Sequence, residues 1–196
     1  MGKANIENIV SLCKKGNKKA QKTLFELYAP KMLFVCRRYF SSSEDGEDAF
    51  IEGFMKVFES LYDYTYIGEN SFNLWVRKIM INHCINILRK NKRLSFLNQQ
   101  IKQDTEQIKQ ESVANYPQNQ FTQEDMELCL KKLPENLKTV FNMLVIDEFS
   151  QKEVAQRLET SEGVVKVYAY RARQILQKEL EKILDKKNKN EYRPTV

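Results

Sequence analysis

The chain has 196 residues, 42% hydrophobic and 30% charged, with a formal net charge of +6 and a pI near 9.0. That length accommodates one medium or two small domains, and the positive balance suits an anionic partner, most simply nucleic acid. Six glycines and four prolines are few for an all-β chain, while Lys, Glu, Gln and Leu are abundant, so an all-α protein is expected.

Residues 5–93 read as a run of helices forming a first domain. In KKAQKTLFELYAPKMLFVCRRYF, the residues Leu24, Leu27, Tyr28, Leu33, Phe34 and Tyr39 are expected to be mostly core, and Pro30 marks a break or kink. The next stretch, SSSEDGEDAFIEGFMKVFESLYDY, predicts a helix with two faces. Phe50, Phe54, Val57, Phe58 and Leu61 line one side; Asp45, Asp48, Glu52 and Glu59 line the other, interrupted by Lys56. Its early acids suit the helix dipole, and Ser43 is the expected cap. An acidic stripe of this kind is either a solvated face or, on a basic protein, a docking surface for a basic partner.

The third stretch, SFNLWVRKIMINHCINILRKNKR, is apolar around most of its circumference and is expected to lie deep in the domain. Trp75, Ile79, Asn82 and Asn86 share one stripe, and basic residues gather at the ends: Arg77 and Lys78, then Arg89, Lys90, Lys92 and Arg93. Rings that stack bases, amides that bond base edges and cations that hold phosphates are what single-stranded DNA binding uses. For Trp75 the expectation is plain core. The terminal basic cluster reads equally as a phosphate contact or a solvated helix end.

Residues 94–122 are dominated by Gln, Asn, Lys and Glu, with too few apolar side chains to bury a core, and read as a flexible polar linker. Residues 123–185 form a second small helical domain, and residues 186–196 a charged, frayed tail. Within this domain, SQKEVAQRLETSEGVVKVYAYRARQIL predicts two helices joined by a tight turn. Val154, Ala155 and Leu158 point inward from the first; Val165, Ala169, Ala172 and Leu176 share one face of the second. Gly163, Val167, Tyr170 and Gln174 occupy the opposite face, flanked by Lys166 and Arg171. Ser150 with Glu153 fits a capping box, Thr160 or Ser161 caps the second helix, and Glu159 occupies a turn position that calls for left-handed backbone. The pattern is that of a helix-turn-helix, though a helical hairpin in an all-α core satisfies it too.

Cys13, Cys36, Cys84 and Cys129 are scattered without a CxxC, and the N-terminus lacks the apolar core of a signal peptide, so reduced thiols and a cytoplasmic location are expected. No apolar run approaches the roughly 18 residues of a transmembrane helix. His83, the only histidine, sits beside Cys84; neighbours on a helix diverge by about 100° and rarely chelate one ion, so no metal is expected. No phosphate-binding loop, catalytic triad or carboxylate constellation appears, so neither a cofactor, a small-molecule substrate nor an enzyme activity is expected.

Taken in order, these segments resemble the extracytoplasmic-function group of bacterial sigma factors within the sigma-70 family, over nearly the whole chain. Asp45-Gly46-Glu47-Asp48-Ala49-Phe50-Ile51-Glu52-Gly53-Phe54 is similar to D-A-E-D-x-x-Q-E-x-F, with Ile51 in place of Gln. Phe72, Trp75, Val76, Ile79, Met80, Asn82, Asn86 and Arg89 follow F-x-x-W-L-x-x-I-A-x-N-x-x-x-D-x-x-R, with Asn86 in place of Asp. Further on, Met126 to Glu135 is similar to A-L-x-x-L-P-E and Thr139-Val140-Phe141 to R-x-V-F. Ser150 to Ala155 is similar to S-x-x-E-I-A, Ser161 to Lys166 to S-x-G-T-V-K, and Arg171-Ala172-Arg173 to R-A-R. Glu159 stands where Gly is usual, and Val167-Tyr168-Ala169-Tyr170 departs from the small polar, basic or His residues common there.

The resemblance implies a promoter-specificity subunit. Asp45, Glu47, Asp48 and Glu52 would dock on core RNA polymerase. Asn82, Asn86, Arg89, Lys90 and Arg93 would engage the −10 region of promoter DNA during strand opening. In the −35 region, Lys166, Tyr170 and Arg171 would lie over bases and Arg173 on a phosphate, with the outer position Val167 helping to choose the sequence. The family is commonly held inactive by a membrane-linked anti-sigma factor. A free-standing helix-turn-helix regulator that does not bind core polymerase is the alternative.

Overall fold

The computed structural model describes residues 5–90 and 121–191, and the chain divides into two compact units, Met1–Lys92 and Arg93–Val196. All regular structure among the described residues is helical.

In the first unit α1 (Ile6–Lys14), α2 (Lys18–Arg37), α3 (Ser43–Ser60) and α4 (Glu69–Lys90) pack around one core, with a 3-10 turn at Leu61–Asp63. Short polar side chains start the first three helices by accepting from an otherwise unpaired backbone N–H. Asn5 Oδ1 takes Asn8 N at 3.2 Å, Asn17 Oδ1 takes Ala20 N at 3.1 Å, and Ser42 Oγ takes Asp45 N at 3.4 Å. The cap of α3 is thus Ser42 and not Ser43, whose hydroxyl instead donates to Glu47 Oε1 at 3.1 Å. Pro30 does not break α2, which runs continuously through it on its exposed side. A proline inside a helix forfeits one backbone hydrogen bond, and packing of the rest of the helix offsets that loss.

Leu24, Tyr28 and Tyr39 are buried as expected, but Leu27 and Phe34 lie on the outer face of α2, 42% and 44% exposed. The phenylalanine side of α3 faces inward: Phe50, Phe54 and Val57 are buried, and Phe25 of α2 packs edge-on against Phe54 at 4.8 Å between centroids. Gly53 sits where α3 meets α4; a Cβ there would stand 2.6 Å from Met80 Sδ, so the approach depends on the missing side chain. Phe72, fully buried, is the hub of a second aromatic group with Tyr28, Tyr64 and Trp75. Burial, with Glu69 nearby, pushes the Tyr28 hydroxyl up to about 12.

The second unit contains α5 (Gln123–Lys131), α6 (Glu135–Phe141), a π-helical turn (Asn142–Ile146), α7 (Gln151–Leu158) and α8 (Glu162–Glu191). Helix α8 is the spine against which α5, α6 and α7 all pack. It reaches Glu191, into the segment expected to be a frayed tail. Capping boxes open α5, from Thr122 and Asp125, and α7, from Ser150 and Glu153. Near its far end α8 returns to the start of α5, where Lys187 Nζ meets Asp125 Oδ2 at 2.6 Å.

Two non-glycine residues hold left-handed backbone: Glu159, as expected, at φ 52°, and Glu148, after the π turn, at φ 57°. A side chain there costs about 1–2 kcal/mol, partly offset because glycine loses more chain entropy on folding. Glu148→Gly and Glu159→Gly are each expected to stabilise the second unit by about 0.5–1 kcal/mol, read as a rise in urea midpoint at constant m-value.

Candidate nucleic-acid and partner interfaces

Three surfaces carry the residues singled out in the sequence. The first is the outer face of α3. Asp48 and Glu52 are exposed there, Asp45 is half-buried in the first turn, and Ile51 and Met55 stand between the acids at 51% and 59% exposure. The face is therefore acidic and apolar together, a composition that shields a partner's cations from water once in contact. Glu47 and Glu52 are each held by another side chain of the protein. Glu47 receives Arg37 Nη2 at 2.6 Å, and the bonds from Arg37 and Ser43 hold its carboxyl below the usual range. Gly46 admits that contact, since a Cβ there would lie 3.0 Å from the Arg37 Cα.

Glu52 is bonded from the other side by His83, whose Nε2 stands 3.1 Å from Oε2. His83 is buried at 6% exposure, and burial pushes its pKa below 6.5, with Lys56 and Lys90 acting in the same direction and Glu52 against it. A lowered histidine pKa means that the unfolded chain takes up the proton first as pH falls. The first unit's melting temperature is expected to decline from pH 6.5 downward, before glutamates protonate near pH ~4.3, and His83→Gln should flatten that decline.

The second surface lies along α4. Its buried side is Phe72, Val76, Met80, Ile81, Cys84, Ile85 and Leu88, so the helix does lie deep in its domain. Trp75 is not plain core. It is half-buried, its ring 4.4 Å from Tyr64 and 5.6 Å from Phe72 between centroids, and it forms one end of a partly exposed stripe. Ile79, Asn82 and Arg89 are half-buried along that stripe, and Asn86 and Lys90 are exposed; Arg93 lies outside the described residues. From Trp75 to Arg89 the stripe is about 21 Å long at 1.5 Å per residue. The segment before α4 is pinned at its start, where Lys14 Nζ donates to the Tyr64 carbonyl at 2.5 Å, and ends at Gly68, whose φ of 130° suits a residue without a side chain.

The third surface belongs to α8 and its brace. Ser150 Oγ accepts from Glu153 N at 3.2 Å while Glu153 Oε2 accepts from Ser150 N at 3.0 Å, fixing the start of α7. Ser161 is the cap of α8, its Oγ accepting from Val164 N at 3.3 Å. Val165, Ala169, Ala172 and Leu176 are buried as expected.

Val167 corrects the expected outer face. It is fully buried, and so, nearly, are Val164 and Tyr168. Neighbouring helices cover α8 on more than one side, so its buried arc is far wider than the stripe that marks the arc's centre. What faces outward is Gly163, Lys166, Tyr170, Arg173 and Gln177, with Tyr170 half-buried and Arg171 half-buried at the other edge. Gln174 Nε2 donates to Tyr170 Oη at 2.8 Å and so orients the phenol. Gly163 is exposed as expected, whereas the sequence reading does not include Gln177; its place in the series Gly163, Lys166, Tyr170, Arg173, Gln177, at alternating three and four residues, is the signal that identifies it.

No helix among the described residues is long and apolar enough to cross a membrane. Two family patterns match the chain: sigma-70 region 2 over residues 24–94 and sigma-70 region 4 over residues 123–176. The chain is 25% identical over 191 residues to the ECF RNA polymerase sigma-E factor of Haemophilus influenzae, covering 90% of this chain and 95% of that one. It is 26% identical over 188 residues to the ECF RNA polymerase sigma factor SigW of Bacillus subtilis, covering 89% and 96%. The sigma factor RpoE of Bartonella quintana, solved with the anti-sigma factor NepR, aligns at a TM-score of 0.49 with 22% identity over 82% of this chain and 96% of that one. Regions 2 and 4 thus occur in order in one chain whose relatives match it nearly end to end, and the protein belongs to the sigma-70 family, in its extracytoplasmic-function group.

Proposed function

We propose that this protein is a promoter-specificity subunit that binds core RNA polymerase and directs transcription initiation at promoters with −35 and −10 elements. The observation that carries it is the presence of both sigma regions, in order, on one chain. That arrangement disfavours the free-standing regulator, which needs a helix-turn-helix but no region 2. Polymerase supplies the chemistry of RNA synthesis, so the protein's own work is binding and strand opening in the cytoplasm.

In this reading the outer face of α3, with Asp45, Asp48 and Glu52, docks on polymerase. The acidic charge of that face amid a basic chain supports the assignment. Glu47 contributes less, because its carboxylate is already engaged by Arg37. The stripe of Asn82, Asn86, Arg89 and Lys90 receives the opened −10 strand, the amides meeting base edges and the cations phosphates. Lys166, Tyr170 and Arg173 reach −35 base edges and phosphates in the major groove, with Arg171 at the edge of the contact; Arg bound bidentately to guanine contributes about 1–3 kcal/mol of discrimination. Two such contacts on one chain reinforce each other through effective concentration. Restraint by an anti-sigma factor that covers these surfaces belongs to the same reading.

The test is reconstitution. The purified chain is expected to co-elute with core polymerase and to yield discrete transcript starts from a random promoter library, each preceded by a common two-element sequence. Absence of any start above polymerase alone, across the whole library, would sink the reading.

A further inference from the structure

The only histidine of the chain is buried at the junction of α3 and α4 and uses its Nε2 to reach a carboxylate on the outer face of α3. The junction is tight because residue 53 is glycine: a Cβ would stand 2.6 Å from Met80 Sδ and 3.6 Å from His83 Cδ2. His83 is thereby packed in place, while the Glu52 side chain it touches is 61% exposed. An exposed glutamate ordinarily samples many rotamers, and fixing it on binding has an entropic cost. A neutral imidazole has one donor, and here the Nε2–H tautomer aims it at the Glu52 carboxylate.

We infer that His83 is a positioning residue for polymerase docking: by donating from Nε2 to Glu52 Oε2, it holds that carboxylate in the orientation the partner's cation meets. The inference rests on the assignment of α3 to core polymerase. It also makes α4 part of the docking apparatus, because His83 follows Asn82 directly on the helix assigned to the −10 strand. A state of the first unit that shifts α4 would release Glu52 as well.

The test uses the full chain, core polymerase and four variants: His83→Met, His83→Gln, Glu52→Ala and the double variant His83→Met/Glu52→Ala. Methionine fills the site without donating; glutamine places an amide N–H near the position of Nε2. His83→Met is expected to weaken polymerase binding about 5- to 10-fold, in line with the net contribution of one ordinary hydrogen bond, since the lost bond acts on the partner only through Glu52, and His83→Gln to restore it to within about twofold. In the Glu52→Ala background, His83→Met should add no further loss. A structural role alone would not produce that background dependence or the glutamine rescue.

Wild-type affinity of His83→Met, or an equal loss with and without Glu52, overturns the inference. So does wild-type affinity of Glu52→Ala; the docking assignment itself falls only if Asp48→Lys also binds normally. Should His83→Met fail to fold, Glu52→Asp replaces it. That change keeps the charge but draws the carboxylate out of reach of Nε2, and binding at wild-type strength then overturns the inference.

Discussion

Asp48→Lys combined with Glu52→Lys is expected to reduce the affinity for core polymerase by at least about 100-fold, because like charges brought together at a desolvated contact cost several kcal/mol. Both residues are exposed on α3, beside the exposed Ile51 and Met55. The two lysines would stand beside that apolar surface, where water screens a charge poorly once a partner covers it. Asp48→Lys should hardly change stability, since exposed substitutions usually move it by no more than about 0.5 kcal/mol, whereas Glu52→Lys also removes the acceptor of buried His83 and should cost about 1–3 kcal/mol. Asp48→Lys alone separates the charge effect from loss of the His83 bond and should account for most of the fall. The measurement is a binding isotherm at two salt concentrations: the wild-type interaction should weaken as salt rises, and the doubly reversed variant should have lost that dependence. Affinity within twofold of wild type would remove the outer face of α3 from the interface.

Val167→Asp is expected to destabilise the second unit by about 3–5 kcal/mol, as an unpaired carboxylate in a buried apolar site must. Val167 is fully buried, and the unit depends on α8 for every helix packed against it. A small domain with a margin of about 5 kcal/mol would be largely unfolded. Tyr170→Ala should behave in the opposite way. The ring is half-buried and oriented by Gln174, so its removal should cost little stability but change which −35 sequences are selected. Urea denaturation of both variants, beside promoter-library selection with Tyr170→Ala, gives the comparison. If Val167→Asp folds normally and alters −35 preference, then Val167 faces the groove and not the core.

These two residues show where the sequence stops being informative. They are three positions apart, and a single-face angular test puts both on the outside of α8. The test finds the centre of the buried arc from Val165, Ala169, Ala172 and Leu176, and that centre is right. It does not give the arc's width, which depends on how many helices cover α8. Trp75 fails in the other sense: the sequence reads it as core, and it sits half-buried beside Tyr64 on the partly exposed stripe of α4.

What the sequence alone determined is local or periodic. The Ser150–Glu153 capping box, the left-handed Glu159 and the inward phenylalanines of α3 each depend on residues within one or two helical turns, so spacing suffices to find them. The order of the motifs likewise identified the family without any coordinates. The tertiary structure decided what depends on partners distant in the chain. Arg37 occupies Glu47, His83 holds Glu52 across 31 positions, and a stack of neighbouring helices buries Val167. Periodicity records which way a side chain leaves its own helix. Only the packing of the other helices decides whether it meets water, a carboxylate or a wall of apolar side chains.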